Sequence, residues 1–232
     1  MFVLDGWLGF LYPPHSLLCK KALPVRPGLC CACAASAGCA GPNQGTHLTI
    51  QGIQVFVLNE FNDQIRQLVH MLKYQGKPLP GRLLGRSRGQ CVSGHLNRHG
   101  RWVVVPVPLH SARKRERGFN QSAIIGRAVS VELGLECCEK VIKRVRNTRS
   151  QTQLDRQKRA QNVDSAFTVR QKQFVNERSV LLVDDVVTTG ATLCACAGAL
   201  RLAGAHHVVA AALARPRLGE DDLARFDPSG KK

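Results

Sequence analysis

Acidic residues are scarce in this chain of 232 residues, 16 against 33 basic ones, which leaves a formal net charge of +17. The shortage argues against a surface built for cationic partners and points to anions, whether nucleotides, polyphosphates or nucleic acid. No run of about 18 apolar residues occurs, so the chain is expected not to be an integral membrane protein. Met1 to Tyr12 is apolar, but it contains Asp5 and lacks both a basic lead-in and a small-residue cleavage site, so it makes a poor signal peptide. Phe2, Leu4, Trp7, Leu8 and Leu11 suit one face of a short docking helix instead. Without a secretion signal, the ten cysteines read as thiols or metal ligands in a cytoplasmic protein rather than as a disulfide framework. A G-x-x-x-x-G-K-[ST] phosphate loop is also missing, since the one near match, Gly76-Lys77, is followed by Pro78. That absence removes most of the case for a nucleotide triphosphatase.

The length is enough for one α/β domain with a small appendage. We expect residues 1–49 to hold the N-terminal helix and a cysteine-rich segment, 50–218 to form the α/β domain, and 219–232 to be a polar tail. Between Arg101 and Arg178 stand 17 basic and 7 acidic residues, so a net +10 of the +17 lies in one third of the chain.

The most informative stretch runs from Ser179 to Leu193. Val180 to Val183 suits a central strand covered on both faces, and Asp184 and Asp185 follow at its carboxyl end, where open α/β sheets place their ligands. Thr188, Thr189, Gly190, Ala191 and Thr192 then offer hydroxyls, a close-approach glycine and the first N–H groups of a helix, which together suit a phosphate. The helix is expected over Thr192 to Ala203, ending at Gly204, with a further strand from Val208 to Ala214. An Asp-Asp pair after an apolar strand also fits a Walker B element, or a solvated strand end.

Trp102 to Val105 reads as a second buried strand, stopped by Pro106 and Pro108. Arg113, Lys114, Arg115 and Arg117 crowd the loop that follows, ahead of a helix from Gln121 to Leu133. A solvated charge run has the same composition. In a parallel sheet, however, this loop opens on the same edge as the loop after Val183, where its cations can take a pyrophosphate. A third basic cluster, with Lys143, Arg144, Arg146, Arg149, Arg156 and Lys158, is too polar for core over its length to Phe167. It suits a hood over an anionic ligand or a nucleic-acid surface, although the aromatic interleaving that favours single strands is nearly absent. Earlier in the chain, Gly52 to Leu58 reads as a strand, Asn59 to Tyr74 as a helix, Leu79 to Arg88 as a basic helix, and Cys91 to Gly100 as a polar loop.

Ser16 to Pro42 changes composition to Cys, Ala, Gly and Pro. Cys30 and Cys33 form a C-x-x-C pair, while Ser16 and Cys19 have the same spacing with serine in the first place. Two such pairs at this separation would make a zinc ribbon if Ser16 were cysteine. Cys19, Cys30 and Cys33 with His15 are one candidate ligand set, Cys31 or Cys39 can replace the histidine, and a ribbon that has lost its metal is the alternative.

Val183-Asp184-Asp185-Val186-Val187-Thr188-Thr189-Gly190-Ala191-Thr192 resembles the signature of type I phosphoribosyltransferases. Val105-Pro106-Val107-Pro108-Leu109-His110, Arg117-Gly118-Phe119-Asn120-Gln121 and the spacing of Arg144, Thr148, Gln151, Leu154, Arg159, Asn162 and Phe167 are similar to the ComF family, as is Lys73-Tyr74 with Gly76. The resemblance covers roughly Ile50 to Pro216. It implies a type I phosphoribosyltransferase fold, a central parallel sheet flanked by helices, with a zinc-ribbon-like N-terminal segment. It further implies that 5-phosphoribosyl 1-pyrophosphate (PRPP) binds with Mg²⁺, its ribose hydroxyls on Asp184 and Asp185 and its 5′-phosphate on Thr188 to Thr192. Two functions follow as expectations: a phosphoribosyltransferase connected with competence, DNA uptake or DNA utilisation, or a catalytically silent adaptor for single-stranded DNA or competence-type protein partners.

Overall fold

The computed structural model of the protein describes residues 13–24, 26–39, 45–97, 100–145 and 166–216, with backbone alone at 58–60. The expected N-terminal helix, the C-terminal tail, and Arg146, Arg149, Arg156 and Lys158 lie outside the described residues.

Two buried strands lead the architecture, because their residues are apolar on both sides. β3 (Trp102–Pro106) and β7 (Ser179–Val186) pair in parallel from Trp102 opposite Ser179 to Pro106 opposite Val183. Val180 and Leu182 enter one core and Leu181 and Val183 the other, all four fully buried. The remaining sheet strands are β1 (Thr46–Ile50), β2 (Ile53–Glu60), β4 (Glu136–Cys137) and β8 (His207–Arg215). Their order is β1-β2-β8-β7-β3-β4, parallel except for the antiparallel β1–β2 edge. The sheet starts at Thr46, inside the segment expected to be appendage. From β3 the chain moves outward to β4, and from β7 it moves the other way to β8, so the order reverses between β3 and β7. That switch point is where open α/β sheets open a crevice at their carboxyl edge.

Helices α2 (Asp63–Tyr74), α3 (Leu79–Ser93) and α5 (Gln121–Leu133) cover one face. On the other lie α6 (Ala191–Leu202) and a small antiparallel pair, β5 (Ile142–Arg144) with β6 (Phe167–Val169). Several boundaries differ from expectation. Asn62 accepts a hydrogen bond from the Ile65 N–H at 2.8 Å, and this cap starts α2 four residues later than expected, while β2 runs to Glu60. α3 continues through Cys91 to Ser93, because Leu84, Arg88 and Val92 keep one helical face inside. Arg88 is 1 % exposed there, and desolvation pulls its guanidinium down to about 10. The basic loop after β3 is a two-turn helix, α4 (Ser111–Arg117): its Ala, Arg, Lys and Glu are helix formers, and His110 caps it by accepting from the Ala112 N–H. The cysteine-rich segment holds a short helix, α1 (Cys31–Ser36). Phe167 and Ile142 are buried at the two ends of the third basic cluster, so its margins enter the core although its middle is polar.

Gly81, Gly85 and Gly89 form a ridge on α3 that lets α5 approach closely. A Cβ at Gly85 would stand 2.7 Å from both the Ile125 carbonyl oxygen and the Ala128 Cβ. Helix propensity alone favours Gly85→Ala by about 1 kcal/mol. The clash is with backbone and cannot relax cheaply, so packing wins, and the substitution should cost about 1–2 kcal/mol net. Thermal unfolding is the check: a midpoint equal to or above the parent's would show that α5 has room to move.

Candidate functional site

β7 does not stop before its two acids; it carries them within its last turn of pleat, so they point to opposite faces of the sheet. Asp185 is 7 % exposed and points toward α2, where Lys73 Nζ meets its Oδ2 at 2.8 Å and the Val186 N–H donates to its Oδ1 at 2.6 Å. Asp184 points the other way. Its Oδ1 accepts from Ser122 Oγ at 2.8 Å and from the Asp185 N–H at 2.9 Å. Burial, then the neighbouring Asp185 charge, pushes the Asp184 carboxyl up to about 7, against the smaller pull of Ser122, the backbone and Lys73.

Val187 is the last residue tied to the sheet, donating to the Ala214 carbonyl at 3.0 Å. Thr188 and Thr189 are then exposed, and Gly190 caps α6 in the left-handed region with φ of +75°. A side chain at Gly190 would also strike Ile50 of β1, whose Cγ2 lies 2.7 Å from the Cβ position. Gly190 offers no side-chain cap, and the Ala191 N–H is held only by a long bond to Thr189 Oγ1 at 3.4 Å, so the start of the twelve-residue α6 can turn its N–H groups to a ligand, with the positive end of the helix dipole behind them. Asp184 and the residues from Val186 through Thr188, Thr189, Gly190, Ala191 and Thr192 to Leu193 line one cavity of about 40 Å³. Asp185 is not in that lining.

Across the switch point, α4 presents Arg113, Lys114 and Arg115 to solvent, while Arg117 is half-buried with its guanidinium 5.2 Å from the Tyr74 ring centre. Lys114, Arg115 and Arg117 occupy the last turn, where the helix dipole favours cations whatever else they do. Arg144 stacks on Phe167 at 5.5 Å, and its guanidinium is lowered first by burial and then by Arg113, against the attraction of Asp184. Of the third cluster, Arg144 therefore faces the Asp184 side, and Lys143 is exposed. The sequence reading did not assign Lys73 or Ser122 to the site. Lys73 was visible only as part of a family-like string, and Ser122 only as the second residue of a helix.

Cys19, Cys30 and Cys33 bring their sulfurs within 4.8 Å of one another. Ser16 is 1 % exposed and completes the group, accepting from the Cys30 N–H at 3.3 Å. His15 is exposed, bridges to Ala22 and is not in the thiol group. The Ser16 hydroxyl first, then the Lys21 backbone and the thiols of Cys33 and Cys30, pull Cys19 down to about 6, which favours the thiolate a metal needs. Cys137 and Cys138 are instead pushed up by burial, to about 11 and about 12, and Cys196 rises well above the ordinary thiol value. All ten cysteines are free. No helix among the described residues is long and apolar enough to cross a membrane.

The phosphoribosyl transferase domain family matches residues 120–225. Competence protein F of Haemophilus influenzae is 30% identical over 166 residues, covering 70% of this chain and 72% of that protein. DNA utilization protein YhgH of Salmonella typhi is 31% identical over 181 residues, 76% of this chain and 79% of that protein. Among solved structures, the allosteric regulatory enzyme of purine biosynthesis matches with a TM-score of 0.42 at 18% identity, over 62% of this chain and 29% of that one. The similarity to Competence protein F and YhgH extends over most of each chain, and the domain match takes in α5, β7, α6 and β8, so the protein belongs to the ComF family and carries a phosphoribosyltransferase-like domain.

Proposed function

We propose that the protein binds PRPP with Mg²⁺ at the carboxyl edge of β7 and serves competence or the utilisation of DNA, the roles named in its relatives. One observation carries the ligand assignment: Asp184 shares a cavity with a phosphate-sized loop and the N-terminus of α6, on the same sheet edge as the α4 cations. The 5′-phosphate takes the N–H groups of Ala191 and Thr192 with the Thr188 and Thr189 hydroxyls. The ribose hydroxyls donate to Asp184, whose Oδ1 is already oriented by Ser122. Asp185 has both oxygens engaged, by Lys73 and the Val186 N–H, and so positions the strand end more than it meets the sugar.

The same commitments bear on the metal. With each Asp185 oxygen already engaged, Asp184 is the carboxylate that could help to hold Mg²⁺, the oxygens of PRPP supplying the rest. The chemistry Mg²⁺ would supply there is neutralisation of the pyrophosphate as a leaving group. Arg113, Lys114 and Arg115 add positive charge on the leaving side, and Arg144 is near enough to feel both Arg113 and Asp184. In the appendage, Cys19, Cys30 and Cys33 are the candidate zinc ligands, with Ser16 in the fourth corner. Three thiols suit Zn²⁺, and a serine in place of a thiolate gives a weaker site than four cysteines would.

A transferase is the first reading, and a PRPP-responsive adaptor for single-stranded DNA or a protein partner is the second, favoured by the charge of +17. Calorimetry with PRPP and Mg²⁺, followed by pyrophosphate release over a panel of bases and amines, separates them. We expect saturable heat with PRPP. Release that depends on one acceptor establishes the transferase, binding without release supports the adaptor, and an absence of heat removes the ligand assignment itself.

A further inference from the structure

A second pocket, of about 410 Å³, lies on the other face of the sheet from the Asp184 cavity, in the groove between α3 and α5. Its apolar lining is Phe119, Ile124, Ala128 and Val131, and Arg82, Arg86 and Arg127 line it with positive charge. Val131 is 73 % exposed, so the groove presents apolar surface to solvent. Arg82 and Arg86 are exposed and stand one helical turn apart, with no acid paired to either among the described residues. Their Cβ atoms are therefore about 5–6 Å apart, so both guanidiniums can reach one phosphate. Arg127 faces them from α5, and its Nε is held by Glu139 at 3.1 Å and by the Ala123 carbonyl at 3.3 Å.

We propose that this groove binds a nucleotide, with the phosphate on Arg82 and Arg86 and the base against Phe119 and Val131. Guanidiniums in a fork select phosphate, and an aromatic and aliphatic lining beside them selects a flat base over a bare anion. The volume is suited to one nucleotide. The groove is also coupled to the Asp184 cavity by covalent continuity. Phe119 precedes Asn120, whose Nδ2 donates to the Val107 carbonyl at 2.9 Å just after β3, and α5 carries both the groove residues and Ser122, which holds Asp184. A nucleotide seated here would bear on the first turn of α5 and hence on the ribose side. The inference does not rest on PRPP being the ligand of the other cavity.

The same chemistry is offered by a free mononucleotide and by one nucleotide of a strand. Binding of dTMP, of inorganic phosphate and of a dT5 oligonucleotide, measured by calorimetry on the full chain, distinguishes them. We expect dTMP to bind at least tenfold more tightly than inorganic phosphate. Arg82→Gln with Arg86→Gln should weaken dTMP at least tenfold, whereas Phe119→Ala should weaken dTMP and leave phosphate unchanged. A dT5 affinity tenfold or more above that of dTMP assigns the groove to a strand, and equal affinities assign it to a free nucleotide; either result supports the site. Equal binding of dTMP and phosphate, indifference to the arginine pair, or loss of dTMP binding on Asp184→Asn rather than on the arginine changes would overturn it. Circular dichroism of each variant separates lost binding from lost folding.

Discussion

Asp184→Asn is expected to weaken PRPP binding by about 100-fold while making the folded protein more stable above neutral pH. The two effects have one cause. A ligand hydroxyl that donates to a carboxylate makes a charge-assisted bond, and an amide returns only part of it, so a loss of about 2–3 kcal/mol is expected. In the free protein the same carboxylate is half-buried, and desolvation first, then the Asp185 charge, pushes it up to about 7. A carboxyl raised in the folded state favours folding fully below its unfolded value of about 4, and this contribution is lost as pH rises through about 7. At pH 8 the parent therefore carries an ionised group that burial opposes, and the asparagine does not. The variant should exceed the parent by about 2 kcal/mol at pH 8, or about 4–8 °C in midpoint, and the gap should narrow toward pH 5. PRPP affinity of the parent should rise from pH 6 to pH 8, a rise that the variant lacks. Equal affinities would remove Asp184 from the ligand site, and a gap that is flat with pH would show that its carboxyl is ordinary.

The sequence made this part of the molecule legible because two constraints coincide at it. Four apolar residues before Asp184 allow only a strand covered on both faces, and a Thr-Thr-Gly turn beneath a helix start leaves few chemistries besides phosphate. Elsewhere one constraint acted alone, and the reading was looser. The helix formers between Pro108 and Gly118 could be a charged loop or a short helix; only the His110 cap decides it. Arg88 closes the stretch that reads as a basic helix. Its spacing from Leu84 and Val92 puts it on the inner face, but periodicity counts a charge as polar and so places it outside. In the appendage, the C-x-x-C spacing puts Ser16 beside the three thiols, where its hydroxyl accepts from the Cys30 N–H, while His15, offered as the fourth ligand, is turned out to solvent. The Lys73–Asp185 pair was hidden for a different reason. It joins α2 to β7 across more than a hundred residues, and nothing local in either segment announces the other.

That pair gives the largest stability effect we expect. Lys73→Met should destabilise the fold by about 2–4 kcal/mol, because it leaves the Asp185 carboxylate, 10 % exposed in its side chain, without its counter-ion. Methionine keeps most of the apolar stem of lysine, so lost packing contributes little. The thermal midpoint should fall by about 4–16 °C. Adding Asp185→Asn should recover at least half of the loss, because the asparagine Oδ1 still accepts from the Val186 N–H while the uncompensated charge is gone. The same variants separate the roles of the two acids. Asp185 points away from the cavity that Asp184 lines, so Lys73→Met should change PRPP affinity less than tenfold, against the about 100-fold expected at Asp184. A Lys73→Met protein as stable as the parent would mean that the pair does not form in solution. A loss of PRPP affinity matching that of Asp184→Asn would instead return Asp185 to direct contact with the sugar.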